Sequence, residues 1–283
     1  MHRSHEERKN STYSSKASTN SLDLAVKHNL VILNPDIHSI ATWTKTADRP
    51  LRGWRKSLGI WLLAHLVGVP VPWIATRQRD GVALLAFEHE RLQQLQAAGE
   101  RVPPVLFFDG HSLVTGDIGT TLDHWFSHMV EAERLPLMLM AAADLAAFHA
   151  RGQWHGGSQT RNITWDGVHF ARLDFEEKLQ PGLPLRTIQM YDALQLVLSM
   201  ARYLAPMGSQ AVVAILNAYA NTPNTCTQPS DLSLFLHRLL PRLMWISRFS
   251  SWSPRLNNSR ELERLRTVLD GMQAFVQATS ERN

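Results

Sequence analysis

From about Leu22 to Thr46 the segment "LDLAVKHNLVILNPDIHSIATWTKT" alternates apolar and polar positions in short β-rich runs. An Asn-Pro-Asp break at 34–36 divides it, and the pattern predicts two or three strands, with Lys45 at the end of the last. A helix is predicted at about 53–66, and "VPVPWIATRQRDG" then reads as extended chain and a turn. In "ALLAFEHERLQQLQAAG" the positions Leu84, Leu85, Glu88, Leu92 and Leu95 recur on neighbouring helical turns, and Gly99 stands where a helix ends. Two short strands follow around Asp109-Gly110, a hairpin turn, and then a loop from Gly116 to Thr120.

Beyond Thr121 the periodicity is mainly helical. "LDHWFSHMVEAE" and "LPLMLMAAADLAAFHARG" read as helices, and "NITWDGVHFARLDF" alternates around Asp166-Gly167 as a second hairpin. Further helices are predicted at about 186–204, 208–220, 230–248 and 258–279, with Ser230 and Asn258 as N-caps. The expected class is therefore α+β, a β-rich first part with one important helix followed by a helical second part.

Composition narrows the function classes. The chain has 283 residues, 44% hydrophobic and 19% charged, which is enough for one large domain or two lobes. Residues 1–21 are polar and Ser/Thr-rich and read as a disordered leader, neither signal peptide nor anchor. The apolar run from Leu58 is broken by His65, Gly68, Pro70 and Pro72, too interrupted for a bilayer span. The single cysteine, Cys226, excludes an intrachain disulfide framework and fits a reducing, cytoplasmic compartment. Residues 1–80 hold 12 of the 29 Lys/Arg but 6 of the 25 Asp/Glu. With the Trp-bearing "RPLRGWRKSLGIWLLAHL" this permits peripheral contact with an anionic inner membrane or a polyanionic substrate, although a solvated basic face next to a core helix is the simpler reading. No nucleic-acid motif is present, and nucleic acid is not expected as a partner.

The chemistry concentrates in "WHGGSQTRNITWDGVHFARLDFEE", residues 154–177. Asn162 and Asp174 flank the predicted hairpin, so its turn brings both side chains back to one place, as two oxygen ligands for Mg²⁺ require. A metal site built from His149 and His155 lacks partners at ligand spacing, and His155 reads better as a packed, hydrogen-bonded loop histidine.

The pattern "HGGSQTRNI…LDFEE" resembles the H-x-D-x-x-x-x-N…D-F-x signature of the protein-kinase-like superfamily. It is most similar to the small bacterial lipopolysaccharide-core sugar kinases, including the Kdo kinases, and to related atypical Ser/Thr kinases. His155, Asn162 and Asp174 fall in register. The likeness spans about residues 80–205 and implies a two-lobed fold, with an N-lobe at 22–119 and a helical C-lobe at 120–283. It implies that Glu88 pairs with a phosphate-binding lysine, Lys45 or its competitor Lys56, and that Asp192 braces the loop.

The same resemblance implies ATP and Mg²⁺ as cofactors, Asn162 and Asp174 as metal ligands, and a sugar, lipid-linked or protein hydroxyl as acceptor. The departure is Gly157, where the family carries the aspartate that orients the acceptor hydroxyl. Gln159 stands where many kinases place a lysine, and Arg161 could supply that charge instead. Ser158 or Gln159 could position the hydroxyl, and Glu176 or Glu177 could act as a remote base. Three readings follow: an active kinase of atypical loop, a pseudokinase scaffold, or an α+β interaction protein at the membrane face.

Overall fold

The computed structural model describes residues 41–48, 54–66, 68, 71–76, 80–222, 229–250 and 259–282. In chain order these form β1 (Thr42–Thr46), α1 (Trp54–Leu66), α2 (Trp73–Thr76), α3 (Gly81–Ala97), β2 (Val105–Phe108), β3 (Ser112–Gly116), β4 (Thr120–Thr121), α4 (Leu122–His128) and α5 (Glu131–Ala150). A 3₁₀ turn at Thr160–Asn162 leads to β5 (Ile163–Trp165) and β6 (Phe170–Arg172). The remaining elements are α6 (Leu185–Ser199), α7 (Ala201–Leu204), α8 (Ser209–Ala220), α9 (Pro229–Ser250) and α10 (Arg260–Ser280). The class is mixed α+β, with two small antiparallel sheets ordered β1-β3-β2 and β4-β5-β6. The predicted leader, the strands before Thr42, Asn258 and Cys226 lie outside the described residues.

Both hairpin turns close by the same chemistry. Asp109 Oδ1 accepts from the backbone N–H of His111 at 2.9 Å and Ser112 at 2.6 Å. Asp166 Oδ1 accepts from Val168 at 2.9 Å and His169 at 2.8 Å. In each case the following glycine takes positive φ, 89° at Gly110 and 101° at Gly167, which a side chain would oppose.

Helix α3 positions the first part of the site. Asp80 caps it, accepting from Val82 N at 2.9 Å and Ala83 N at 3.3 Å. Its buried stripe is Gly81, Leu85, Glu88, Leu92 and Leu95, an apolar seam interrupted by one acid. A Cβ on Gly81 would stand 2.0 Å from Ala47 O, just past β1, so the helix can approach that strand only because position 81 has no side chain.

The second part is a helical core in which α5, α8 and α10 pack together and α9 packs on α10. Phe126, Phe148, Met138, Leu145, Val268, Met272 and Phe275 are fully buried there. Arg172 is also buried, its guanidinium 4.1 Å from the Phe148 ring centroid and bonded to Asp144.

The structure corrects some local expectations. Residues 73–76 form the short helix α2 rather than extended chain. "LDHWFSHMVEAE" divides between α4 and α5, because Met129 and Val130 take extended dihedrals (ψ 158° and 142°). Ser230 lies inside α9, which starts at Pro229, and Ser259 caps α10, its side chain accepting from Leu262 N.

Gly81→Ala tests the approach of α3 to β1. Alanine gains up to about 1 kcal/mol of helix propensity, but the overlap with Ala47 O costs typically about 1–3 kcal/mol, so a net loss is expected in denaturant unfolding. Gly59→Ala in α1 meets nothing within 4 Å and is expected to stabilise by roughly 0.5–1 kcal/mol.

Candidate functional site

The site begins where three distant stretches meet on one ammonium. Lys45 Nζ, at the end of β1, donates to Glu88 Oε1 at 2.7 Å and Oε2 at 3.0 Å. It also donates to Asp174 Oδ1 at 2.6 Å and Glu176 Oε1 at 3.0 Å, both just past β6. Lys45 therefore joins Glu88 although α1 and α2 lie between β1 and α3 in the chain. Lys56, the competing lysine, belongs to α1.

Asp174 has φ 66°, the one positive φ outside glycine among the described residues. Aspartate tolerates this region better than most residues, and such strain persists where surrounding contacts hold it, as the Lys45 bond does here. Phe175, next along, is buried with its ring 4.5 Å from that of His155. Glu176 returns to the Lys45 side, since residues two apart in extended chain share a face.

The loop before β5 is tied down almost completely. His155 N and Gly156 N donate to Asp192 Oδ2 at 2.7 Å and Oδ1 at 2.8 Å. Asp192 lies fully buried on α6 and also faces His149 Nε2 at 3.4 Å. His155 Nδ1 accepts from Gly157 N at 3.0 Å, so its Nε2 carries the proton and donates to Leu173 O at 2.7 Å. Gly156 has φ 84°, and a Cβ there would press on Glu177, Trp154 and Leu179 at 3.1–3.3 Å. A side chain at position 156 would therefore be both strained and crowded.

Asn162 Nδ2 donates to Gly157 O at 2.9 Å, so the amide oxygen is the end left for a cation. Leu173 N donates to Asn162 O at 2.8 Å, extending the β5–β6 ladder and placing Asn162 and Asp174 at the same end of the hairpin. At Gly157 the nearest atoms to an added Cβ stand at 3.6 Å, ordinary contact, and φ is not positive. Gln159 is half-buried and Arg161 exposed, whereas Ser158 is fully buried and its Oγ has no hydrogen-bond partner. Ser158 therefore offers no hydroxyl to an acceptor.

Charge at this site is unbalanced. Burial by itself would lower the Lys45 pKa, but Glu88, Asp174 and Glu176 outweigh it and hold the ammonium charged beyond the ordinary lysine range. Burial pushes the Glu88 carboxyl up, and the facing ammonium offsets part of that. Burial would also raise Asp174, yet Lys45, with help from Glu176, keeps it well below the usual carboxylate range. Three carboxylates share one ammonium, and their oxygens lie within 4.8 Å of one another, a set of hard donors that suits a divalent cation. His155 and His149 are held neutral, in each case first by burial.

Of the residues singled out from the sequence, Lys45, Glu88 and Asp174 are in direct contact, and His155, Gly157 and Asn162 are bonded within one loop. Sequence reading treated Glu176 only as a remote base and missed its bond to Lys45. The available signal was its two-residue spacing from Asp174. The His149–Asp192 contact was missed as well, because nothing in the spacing of 149 and 192 links the two.

Asp192 is expected to set the order of this loop. Asp192→Ala leaves two buried N–H groups without acceptors, at about 1–3 kcal/mol each, so denaturant unfolding should show a loss of roughly 2–6 kcal/mol. Asp192→Asn keeps one acceptor oxygen and is expected to lose less.

No protein-family model matches the chain. Over 97 residues it is 29% identical to an uncharacterized protein of Haemophilus influenzae, an alignment covering 33% of this chain and 40% of that protein. The chain thus spans about two fifths of that relative's length, and the similarity carries no assignment of activity.

Proposed function

We propose that this chain is a kinase-like protein that binds ATP with Mg²⁺ between Lys45, Glu88, Asn162 and Asp174. The observation that carries the reading is the Lys45 junction: a strand lysine held by a helix glutamate and by the aspartate that follows the hairpin. The Asp192-braced loop beside it supports the same reading. On this view residues 22–119 make a small β-rich lobe and 120–283 a helical lobe. Bound Mg²⁺ would neutralise charge on the phosphates, and Asp174 with the Asn162 amide oxygen would hold it.

The remaining roles belong to the chain itself. Lys45, kept charged, turns from Asp174 and Glu176 to a phosphate while Glu88 retains it. Asp192 and His155 keep the loop in place. Arg161, exposed in the 3₁₀ turn that ends the loop, offers a cation to the transferred group. The acceptor is a hydroxyl of a lipopolysaccharide sugar, a lipid-linked sugar or a Ser/Thr side chain.

Gly157 favours a second reading, a pseudokinase that binds nucleotide without transferring phosphate. Orientation of the acceptor hydroxyl by a loop carboxylate is worth about 10²–10⁴-fold in rate, and no side chain stands at position 157 to supply it.

Two measurements separate these. Thermal unfolding with Mg²⁺ and ATP at about 100 times the dissociation constant should stabilise the wild type by roughly 2.7 kcal/mol, a shift of a few degrees. Asp174→Ala should show none, and absence of any shift in the wild type over a wide ATP range would defeat both readings. At Gly157 an added Cβ meets only ordinary contacts, so Gly157→Asp is made and its folding checked by the same melting curve. If the loop carboxylate is the missing part, that variant raises ATP turnover by about 10²-fold or more; an unchanged rate in an active wild type means another residue orients the acceptor.

A further inference from the structure

Helix α3 and the loop before β5 are distant in the chain, and one side chain joins them close to the Lys45 junction. Arg91 stands three residues after Glu88, on the neighbouring turn of α3, and is half-buried. Its Nη2 donates to Trp154 O at 3.0 Å, across 63 residues of sequence, and to Gln153 Oε1 at 3.4 Å. Its guanidinium also lies 4.9 Å from the Trp154 ring centroid, within cation–π range.

Trp154 carries this contact onward. It is buried and immediately precedes His155 and Gly156, whose N–H groups Asp192 holds. Its Cζ3 lies 3.1 Å from where a Cβ on Gly156 would stand, so the indole packs against the loop backbone itself. A guanidinium suits this place better than an ammonium, because it can donate to a carbonyl and stack on an aromatic ring at once. The chain just past α3 is anchored separately, Arg151 Nε and Nη2 donating to Glu100 Oε1 and Oε2 at 2.6 and 2.7 Å. That pair is twelve residues from Glu88, whereas Arg91 acts within one turn of the carboxylate that meets Lys45.

We infer that Arg91 is a positioning residue, which fixes the Lys45–Glu88 pair relative to the loop bearing His155 and Asn162, so that the two halves of the site stand in register before a ligand arrives. The inference rests on the nucleotide reading above and adds to it a property of the free chain: the site is assembled in advance, and α3 need not move on binding. A site already in register spends none of its binding energy on ordering its halves. If only a tenth of the molecules held that register, the apparent affinity would fall about ten-fold.

The test uses the full chain with Arg91→Met, which keeps the stem and removes every donor, and with Arg91→Lys, which keeps the charge and loses the fork. Amide hydrogen exchange is measured first, without ligand. In Arg91→Met the amides around Glu88 and those of residues 153–157 should exchange about ten-fold faster, the worth of one hydrogen bond from a charged group, well beyond any change in α8 and α10. A merely structural loss of stability would speed all of these alike. By titration calorimetry, MgATP affinity should fall about ten-fold in Arg91→Met and by less in Arg91→Lys. In a Glu88→Gln background the Arg91→Met change should cost less than about two-fold, because the pair that Arg91 places is then already lost.

The inference is overturned if exchange around Glu88 and at 153–157 changes no more than in α8 and α10, if Arg91→Met binds MgATP as the wild type does, or if its loss is undiminished in the Glu88→Gln background. A wild type that binds no MgATP overturns the nucleotide reading and this inference with it, so the wild-type titration tells the two failures apart.

Discussion

An ammonium shared by three carboxylates is the constraint on which the rest of the structure depends. Glu88, Asp174 and Glu176 approach closely enough to repel one another strongly in a partly desolvated site, and Lys45 Nζ is what holds them together. Glu88 is 3% exposed, so an uncompensated charge there would cost several kcal/mol. The junction therefore demands that β1, α3 and the chain after β6 all arrive at one point. The glycine at 81, the capped start of α3 and the tight Asp166-Gly167 turn are local devices that meet this demand.

One lysine does not neutralise three acids, and a divalent cation would complete the balance. Around this centre the structure is stiff by construction. Asp192 holds two backbone N–H groups of the loop, His155 bridges Gly157 and Leu173, and Asn162 returns its amide to Gly157 O. Gly157 is then a loop position bonded at both its N–H and its C=O but without a side chain.

The helical part divides along a different line. α9 buries its leucine seam on α10 and turns arginine, leucine and tryptophan outward. Whole-chain charge counting conceals this, because residues beyond 80 are close to neutral overall. Only the sorting of one helix into two faces separates its buried leucine seam from its exposed arginines.

By itself the sequence determined what depends on neighbours within a few residues. The Asp-Gly turns, the stripe of α3, the hairpin between Asn162 and Asp174 and the order of the helices were all legible, because turn chemistry and 2- or 3.6-residue periodicity are short-range. Where two short-range signals competed, as at 73–76 and at Met129–Val130, the reading failed. Tertiary structure decided which lysine meets Glu88, that Glu176 joins it, that Asp192 faces His149, and which side of α9 meets water. Those contacts span 43 to 131 residues or depend on what packs opposite, and no local pattern records a partner that the chain meets only after folding.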